Sequence, residues 1–498
     1  MKAFLLYKDQ DFDLQRRPPW NARQLIEDLE LETLFNAMAR GDQLLFDVAK
    51  SVILSSLHND PNTISYRQDI LKDCLKNSLI IRGIYYLAVR VVESEKRHYW
   101  SFLSNYPQAI LDRSISVLHM LVTALKELRN IAKVHASRFQ SEGFTSLFST
   151  LQRELTDEYF AAIQNHLKEL KFRNGVLISA ELGQGNKGTN YILRKSQSND
   201  RNWIERVFAD KLSGFVVRIH PRDESGAKAL SELRDRGIHL VANALAQSAD
   251  HIVSFFNILR TELAFYLGCL NLHEQVSQMG EPMSFPLAIA NAQRRFSANE
   301  LYDLYLALRM QRKVVANDIN ADDKQLVIIT GANQGGKSTF LRSAGLAQLM
   351  MQSGMFVPAA SFSATVCRGI FTHYKREEDP AMQSGKLDEE LSRMSEIVDN
   401  LRSDSLLLCN ESFAATNERE GSEIARQIVT ALLDKQIKVF FVTHLYELAH
   451  DLYKKKIESA LFLRAERQLD GGRTFKLIEG EPLQTSYGED LYNRIFSL

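Results

Sequence analysis

The sequence predicts a mixed fold: an α/β nucleotide-binding domain in the C-terminal part, joined to an all-α region that carries a small β insert. Three observations predict it. Residues 331–339 read Gly-Ala-Asn-Gln-Gly-Gly-Lys-Ser-Thr, a complete phosphate-binding loop with an apolar run before it and a helical pattern after it. Leu326-Val-Ile-Ile, Leu406-Leu-Leu-Cys and Val439-Phe-Phe-Val are short apolar runs separated by helical stretches, the rhythm of a mostly parallel sheet covered by helices. The first 170 residues instead place apolar side chains at helical spacing and hold little proline after Pro18 and Pro19.

A chain of 498 residues has room for about three or four structural units. Its hydrophobic share of 45% supports large cores, and its charged share of 24% supports a globular surface. The formal net charge is zero, so any nucleic-acid surface must be a local basic patch. Cys74, Cys269, Cys367 and Cys409 lie far apart with no Cys-x-x-Cys pair. That spacing argues against a zinc site or a disulfide framework and for reduced thiols in a cytoplasmic protein. The opening Met-Lys-Ala-Phe-Leu-Leu-Tyr-Lys is too short an apolar run for a secretory signal. No run approaches the length of a bilayer-crossing segment, so no membrane span is expected.

Residues 1–172 read as helices packed on helices. Ile115, Leu118, Val122, Leu125 and Leu128 form one stripe, and Pro61 after Asn-Asp marks a turn. Residues 173–222 read as a β-rich insert: Val176, Ile178 and Ala180 alternate, and Tyr191-Ile-Leu-Arg and Phe215-Val-Val-Arg-Ile look like further strands. Between them, Gly183-Gln-Gly185-Asn-Lys-Gly188 fits Gly-x-Gly-x-x-Gly, but strand follows it where a dinucleotide site needs a helix, so it reads as a hairpin turn. Lys187, Arg194, Lys195, Arg201 and Arg206 make the insert mildly basic, a solvated surface by default and a nucleic-acid contact as the alternative. Residues 223–275 are helical again, with Ile252, Phe255, Phe256, Leu259, Leu263, Tyr266 and Leu270 on one stripe. Pro282 and Pro286 mark the passage to the last region, residues 276–498.

The chemistry concentrates there. Gly331, Gly336, Lys337 and Ser338 fill Gly-x-x-x-x-Gly-Lys-[Ser/Thr]. Glycines let backbone N–H groups curl around phosphate oxygens, and the following helix turns its positive end to the same anion. Lys337 is expected to reach the β- and γ-phosphates, and the Ser338 hydroxyl to ligate Mg²⁺. The second acidic strand end is Asn410-Glu411. Asn410 stands where Asp is usual and offers a carbonyl dipole to the water shell of Mg²⁺, so weaker metal binding is expected. Glu411 is the candidate to orient or deprotonate the attacking water. His444 follows the strand run 439–442, at the strand end where ligands bind in open α/β sheets, and is placed to sense the γ-phosphate.

These residues resemble the MutS family of DNA mismatch-repair ATPases, a relative of the ABC ATPases. The stretch Thr330 to Thr339 is similar to the family's Thr-Gly-Pro-Asn-Met-Gly-Gly-Lys-Ser-Thr, with Asn333 and the doubled Gly335-Gly336 the distinctive matches. Gly354-Met-Phe-Val-Pro-Ala359, Ile370-Phe-Thr372, Thr443-His444-Leu-Tyr-Glu-Leu448 and Ser486-Tyr-Gly488 resemble further family segments. Ser384, with Glu389 five residues on, is similar to the signature that meets the γ-phosphate of the partner subunit. Residues 410–421 cover the family's Asp-Glu-Ile-Gly-Arg-Gly-Thr-Ser-Thr-x-Asp-Gly, with Glu411 and Gly421 in register. Val315, within Val314-Val-Ala-Asn317, falls where the family places its adenine-contacting strand. More loosely, Leu34-Phe35, Met38 to Asp42 and Asp60 to Ile70 resemble the start of the family's core and lever helices.

The resemblance implies a helical core and lever arm over 1–172, a clamp-like insert over 173–222, returning lever helices over 223–275 and an ABC-type ATPase domain over 276–498. It implies ATP and Mg²⁺ at the site, a homodimer, and duplex or branched DNA as the partner, in repair or recombination. No Phe-x-Glu motif occurs, so the expected member lacks the N-terminal mismatch-recognition domain. The alternative is a nucleotide-gated interaction protein that contacts a protein or a ribosome.

Overall fold

The computed structural model describes residues 1–100, 106–172, 175–195, 216–290, 294–376, 385–468 and 472–484. Eight α-helices come first: α1 (Ala22–Asp28), α2 (Leu31–Ala39), α3 (Gln43–Ser55), α4 (Pro61–Lys76), α5 (Ser78–Trp100), α6 (Pro107–His135), α7 (Glu142–Glu154) and α8 (Asp157–Glu169). A hairpin of β1 (Leu177–Leu182) and β2 (Gly188–Arg194) follows, then α9 (Glu224–Met279). The remainder runs β3 (Leu287–Ile289), β4 (Phe296–Leu301), α10 (Leu304–Met310), β5 (Asn317–Asn320), β6 (Leu326–Thr330), α11 (Lys337–Gln352), β7 (Ser361–Thr365) and β8 (Ile370–Tyr374). It ends with α12 (Lys386–Asn400), β9 (Leu406–Asn410), α13 (Glu418–Asp434), β10 (Lys438–Val442), α14 (Tyr446–Lys454), β11 (Ala460–Arg467) and β12 (Arg473–Glu479).

The chain divides into two compact units. One holds residues 83–137 and 146–260 with the first two residues, and the other holds residues 3–82, 138–145 and 261–498. In the first, the stripe expected on α6 is buried from Leu111 to Ala132. Thr156 starts α8 by accepting a hydrogen bond from Tyr159 N at 3.2 Å. The glycine-rich stretch is the hairpin turn, with Leu182 opposite Gly188. The hairpin lies on α9, where a Cβ at Gly237 would meet the Ile178 side chain at 2.3 Å. The third strand expected at Phe215-Val-Val-Arg-Ile does not form over residues 216–219. Val216 and Val217 are 85% and 84% exposed, and among the described residues the hairpin's sheet holds β1 and β2 alone, so the run stays without a paired strand. Of the described basic residues in this insert, Arg194 donates to Ser179 Oγ and Lys195 pairs with Glu169 at 3.2 Å. Arg201 and Arg206 lie outside the described residues.

The helix α9 runs unbroken for 56 residues. By length and composition one 18-residue window of it, with mean hydropathy 1.3, passes as membrane-crossing, against the expectation of no such segment. Most of that window, 61%, is buried within the protein, and Phe256, Leu259, Leu263 and Tyr266 are core residues.

In the second unit, a six-stranded sheet runs in the order β12-β11-β6-β10-β9-β8. Its neighbours are parallel except β12, which pairs antiparallel with β11. The three apolar runs are β6, β9 and β10, buried along nearly their whole length, as strands covered on both faces must be. A second sheet, β3-β7-β4-β5, was not foreseen. Its pairings join residues far apart in the chain, such as Leu287 with Ser363. Asp42, Asp60 and Asn417 cap α3, α4 and α13. The N-terminal segment has no helix or strand before α1, yet side chains fix it. Tyr66 donates to Phe4 O at 2.6 Å, buried Arg67 donates to Leu6 O at 2.8 Å, and Tyr266 donates to Leu5 O at 2.5 Å. Buried Glu262 accepts from Leu5 N at 2.7 Å and Phe12 N at 3.1 Å.

Candidate nucleotide site

The site forms where β6, β9 and β10 end side by side. The parallel register Val442 with Asn410 and with Ile329 brings the loop after β6, the residues after β9 and His444 to one edge of the sheet. This edge is the C-terminal one, the ligand side of open α/β sheets.

The loop 331–336 turns through left-handed backbone at Gly331 (φ +113°) and Gly336 (φ +89°). Glycine is also demanded by what lies behind the loop. A Cβ on Gly331 would stand 2.8 Å from Ala465 N, and one on Gly335 would stand 2.7 Å from Ala465 Cβ and 2.9 Å from Ala332 O. The loop is pressed on β11 and leads directly into the start of α11. Asn333 and Ser338 are exposed, Thr339 is half-buried and Lys337 is buried. The Lys337 ammonium donates to Gly331 O and Ala332 O, both at 2.9 Å. Burial pushes it down to about 8, with Glu411 opposing and Arg473 adding to the fall.

Ser338 Oγ donates to Asn410 Oδ1 at 2.9 Å, so the two expected metal ligands adjoin. Both are neutral oxygen donors, which fits Mg²⁺ as a hard cation and leaves the ion's charge to the nucleotide phosphates. Among the described residues no group of three or more His, Cys, Asp or Glu side chains could hold a metal ion by itself.

Glu411 Oε1 lies 2.9 Å from His444 Nε2. This hydrogen bond holds the Glu411 carboxyl below the usual carboxylate range, with burial opposing and His444, Lys337 and Lys375 adding attraction. Glu411 and Phe413 both have left-handed backbone, φ +54° and +64°, on either side of Ser412. Phe413 occupies a position where the family pattern has glycine. The turn is braced from behind. His373 on β8 is fully buried, with Nδ1 2.7 Å from Ser412 Oγ and Nε2 3.0 Å from Glu390 O on α12. Its ring stacks on Phe413 with centroids 5.4 Å apart. Ser412 Oγ also donates to His373 O at 2.8 Å, and burial pushes the Glu390 carboxyl up with the Phe413 backbone N–H opposing. Burial pushes His373 down to about 4, so the ring is neutral. Its one N–H then belongs on Nε2, toward the Glu390 carbonyl, and the single Ser412 hydroxyl proton is shared between Nδ1 and the His373 carbonyl.

Sequence reasoning missed Arg473, His373, Ser412 and Glu390. Arg473 at the start of β12 donates to Gln334 Oε1 in the loop at 2.7 Å, bringing a second cation there. Its approach depends on strand pairing across more than a hundred residues, which no local pattern encodes. The left-handed turn at 411–413 had one local trace, a bulky residue at a glycine position. Val315 is 43% exposed and lies just before β5. Its neighbours Ala316 and Asn317 bond to Lys476, Phe475 and Leu477 of β12. That strand in turn packs on Gly336, whose Cβ would meet Phe475 O at 3.3 Å. Ser384 and Ser486-Tyr-Gly488 lie outside the described residues.

Residues 59–279 match the family model described as the MutS2 N-terminal domain, and residues 327–493 match MutS domain V. The DNA mismatch repair protein MutS of Clostridium botulinum (strain Eklund 17B / Type B) is 38% identical over 133 residues, 26% of this chain and 14% of that protein. MutS of Thermotoga neapolitana is 34% identical over 184 residues, 36% of this chain and 23% of that protein. The Endonuclease MutS2 of Streptococcus equi subsp. equi (strain 4047) is 27% identical over 356 residues, 68% of this chain and 43% of that protein. The chain thus spans less than half the length of each of these relatives.

Proposed function

The chain belongs to the MutS family, and on that premise we propose that it is an ATP-hydrolysing, DNA-binding protein whose grip on DNA is gated by ATP, acting in repair or recombination. The observation that carries this reading is the convergence of Lys337, Ser338, Asn410, Glu411 and His444 at one sheet edge. Residues 276–498 serve as an ABC-type ATPase domain. Two copies of the chain pair, and Ser384 of one meets the γ-phosphate held by the other. Val315 lies on the adenine side.

In this reading Lys337 leaves the carbonyls of Gly331 and Ala332 and turns to the β- and γ-phosphates. The amides of residues 333–339 and the first turn of α11 surround the same oxygens. Ser338 and Asn410 would hold Mg²⁺, which supplies charge neutralisation at the phosphates when bound. Glu411, kept ionised beside His444, orients the attacking water and takes its proton. His444 then stands between the carboxylate and the γ-phosphate, placed to respond when that group departs. ATP and ADP states differ by the γ-phosphate contacts, and those contacts bias the helical arms toward or away from DNA.

The test is ATP turnover by the purified chain, compared with Glu411→Ala and Lys337→Ala, together with gel shifts on homoduplex, mismatched and four-way-junction DNA. The reading expects turnover that Glu411→Ala abolishes while nucleotide still binds, Lys337→Ala losing both, and a shift of at least one DNA. Turnover without binding to any of the three DNAs would instead favour a protein-contacting switch.

A further inference from the structure

We propose that His373, Ser412 and Glu390 are positioning residues for Glu411, forming a brace that ties the hydrolytic carboxylate to helix α12. This rests on the reading of Glu411 as the residue that orients the attacking water.

The case begins with the backbone. Glu411 and Phe413 sit at φ +54° and +64°, a region that L-residues rarely adopt and that strains the backbone at each position. Such a turn persists only when its surroundings over-determine it. On the side where Glu411 faces the nucleotide, the turn 411–413 is held through the Glu411–His444 hydrogen bond at 2.9 Å. Glu411 N donates to Val442 O at 2.9 Å, which fixes where the turn starts. His373 and α12 hold its continuation, together with α13, where a Cβ on Gly421 would stand 2.5 Å from Phe413 O.

The members of the brace are linked to one another. Ser412 is fully buried, and its hydroxyl reaches back to β8, at 2.7 Å from His373 Nδ1 and 2.8 Å from His373 O, with the Cys409 thiol of β9 also beside it. His373 is fully buried, and its second nitrogen reaches Glu390 O. The Glu390 side chain, 4% exposed for the residue as a whole, lies beside the Phe413 N–H, which opposes the rise that burial gives its carboxyl. Phe413 is closed in by the His373 ring, stacked with an interplanar angle of 23°. None of the three side chains touches the phosphate loop. Their effect on chemistry can only pass through the direction of Glu411. A displacement of α12 moves Glu390, and with it the two anchors of the strained turn.

The expected result is a split between binding and turnover. His373→Phe keeps the ring on Phe413 and removes both hydrogen bonds. It lowers kcat for ATP by about tenfold or more while KM and nucleotide affinity stay within about twofold, because small misplacements of a catalytic group cost rate rather than binding. Ser412→Ala behaves alike. Glu390→Leu joins them, whereas Glu390→Gln, which keeps an oxygen for the Phe413 N–H, retains kcat within about threefold. A second readout does not need turnover. In His373→Phe the amide of Phe413 exchanges with solvent faster, while the amides of β6 keep their protection. A folded His373→Phe protein with wild-type kcat overturns the proposal. If the wild-type chain binds ATP without hydrolysing it, the role of Glu411 fails on its own, and unchanged exchange at Phe413 then overturns the brace separately.

Discussion

Asn410 makes the proposed Mg²⁺ site weaker in charge than an Asp at that position would. Its amide oxygen accepts from Ser338 at 2.9 Å, so the donor pair is assembled but carries no negative charge. Asn410→Asp adds a carboxylate at the same place, and the Mg²⁺ concentration for half-maximal turnover is expected to fall about tenfold, as a charged ligand binds more tightly than a dipole. A Mg²⁺ titration of both proteins checks this, and equal midpoints would contradict it. Lys337 gives a second residue-scale outcome. It lies at about 8 in the free protein, and the phosphates of a bound nucleotide favour its charged form. Affinity for ATP is therefore full below that value and lost above it, with the dissociation constant rising about tenfold between pH 7 and pH 9. A flat calorimetric profile across that range would contradict the placement of Lys337. The residues that converge at the sheet edge were legible because phosphate chemistry dictates such types at such spacing. The brace behind Glu411 was not, because His373, Ser412 and Glu390 are ordinary residue types made significant by the pairing of β8 with β9 and the packing of α12.

At the level of elements, the strands legible in the sequence were those buried on both faces. The runs at 326, 406 and 439 are continuous apolar stretches because helices cover the sheet on each side. The sheet β3-β7-β4-β5 was not legible. Its strands are short, mixed in character, and paired only through distant segments such as Phe296 with Ala364. The segment 216–219 shows the converse, an apolar run that reads as strand but finds no pairing among the described residues. The N-terminal segment is another tertiary effect: it has no regular structure and depends on Tyr66, Arg67, Glu262 and Tyr266. Burial pushes Glu262 up to about 7, with the Leu5 and Phe12 amides opposing. Its ordinary value is near 4.5, so the folded protein holds this proton over a window in which the unfolded chain has lost it. The contribution to stability is complete below about 4.5 and is lost as pH rises through 7, on the order of 3 kcal/mol. Glu262→Gln is expected to remove that slope, so the wild-type-minus-variant difference in urea midpoint should shrink or reverse from pH 5 to pH 8. A constant difference would contradict the assignment.

For the whole molecule, the proposed function joins two properties that the sequence suggested separately, a nucleotide site and a basic surface. The nucleotide site is compact in geometry and specific in residue type. The basic surface is less distinct, since Arg194 and Lys195 are engaged within their own unit. Neutral net charge leaves DNA binding to local patches, and its strength should fall steeply with salt, as phosphate contacts do. The central claim is that nucleotide state controls DNA affinity, and fluorescence anisotropy measures it most directly. Glu411→Ala, which retains ATP, would be titrated onto labelled homoduplex and four-way-junction DNA at fixed salt with ATP and with ADP. ATP and ADP are expected to give dissociation constants at least about fivefold apart on at least one of these DNAs, the lower range of coupling between linked sites. Equal affinities in the two nucleotide states, or no binding to either DNA, would contradict it.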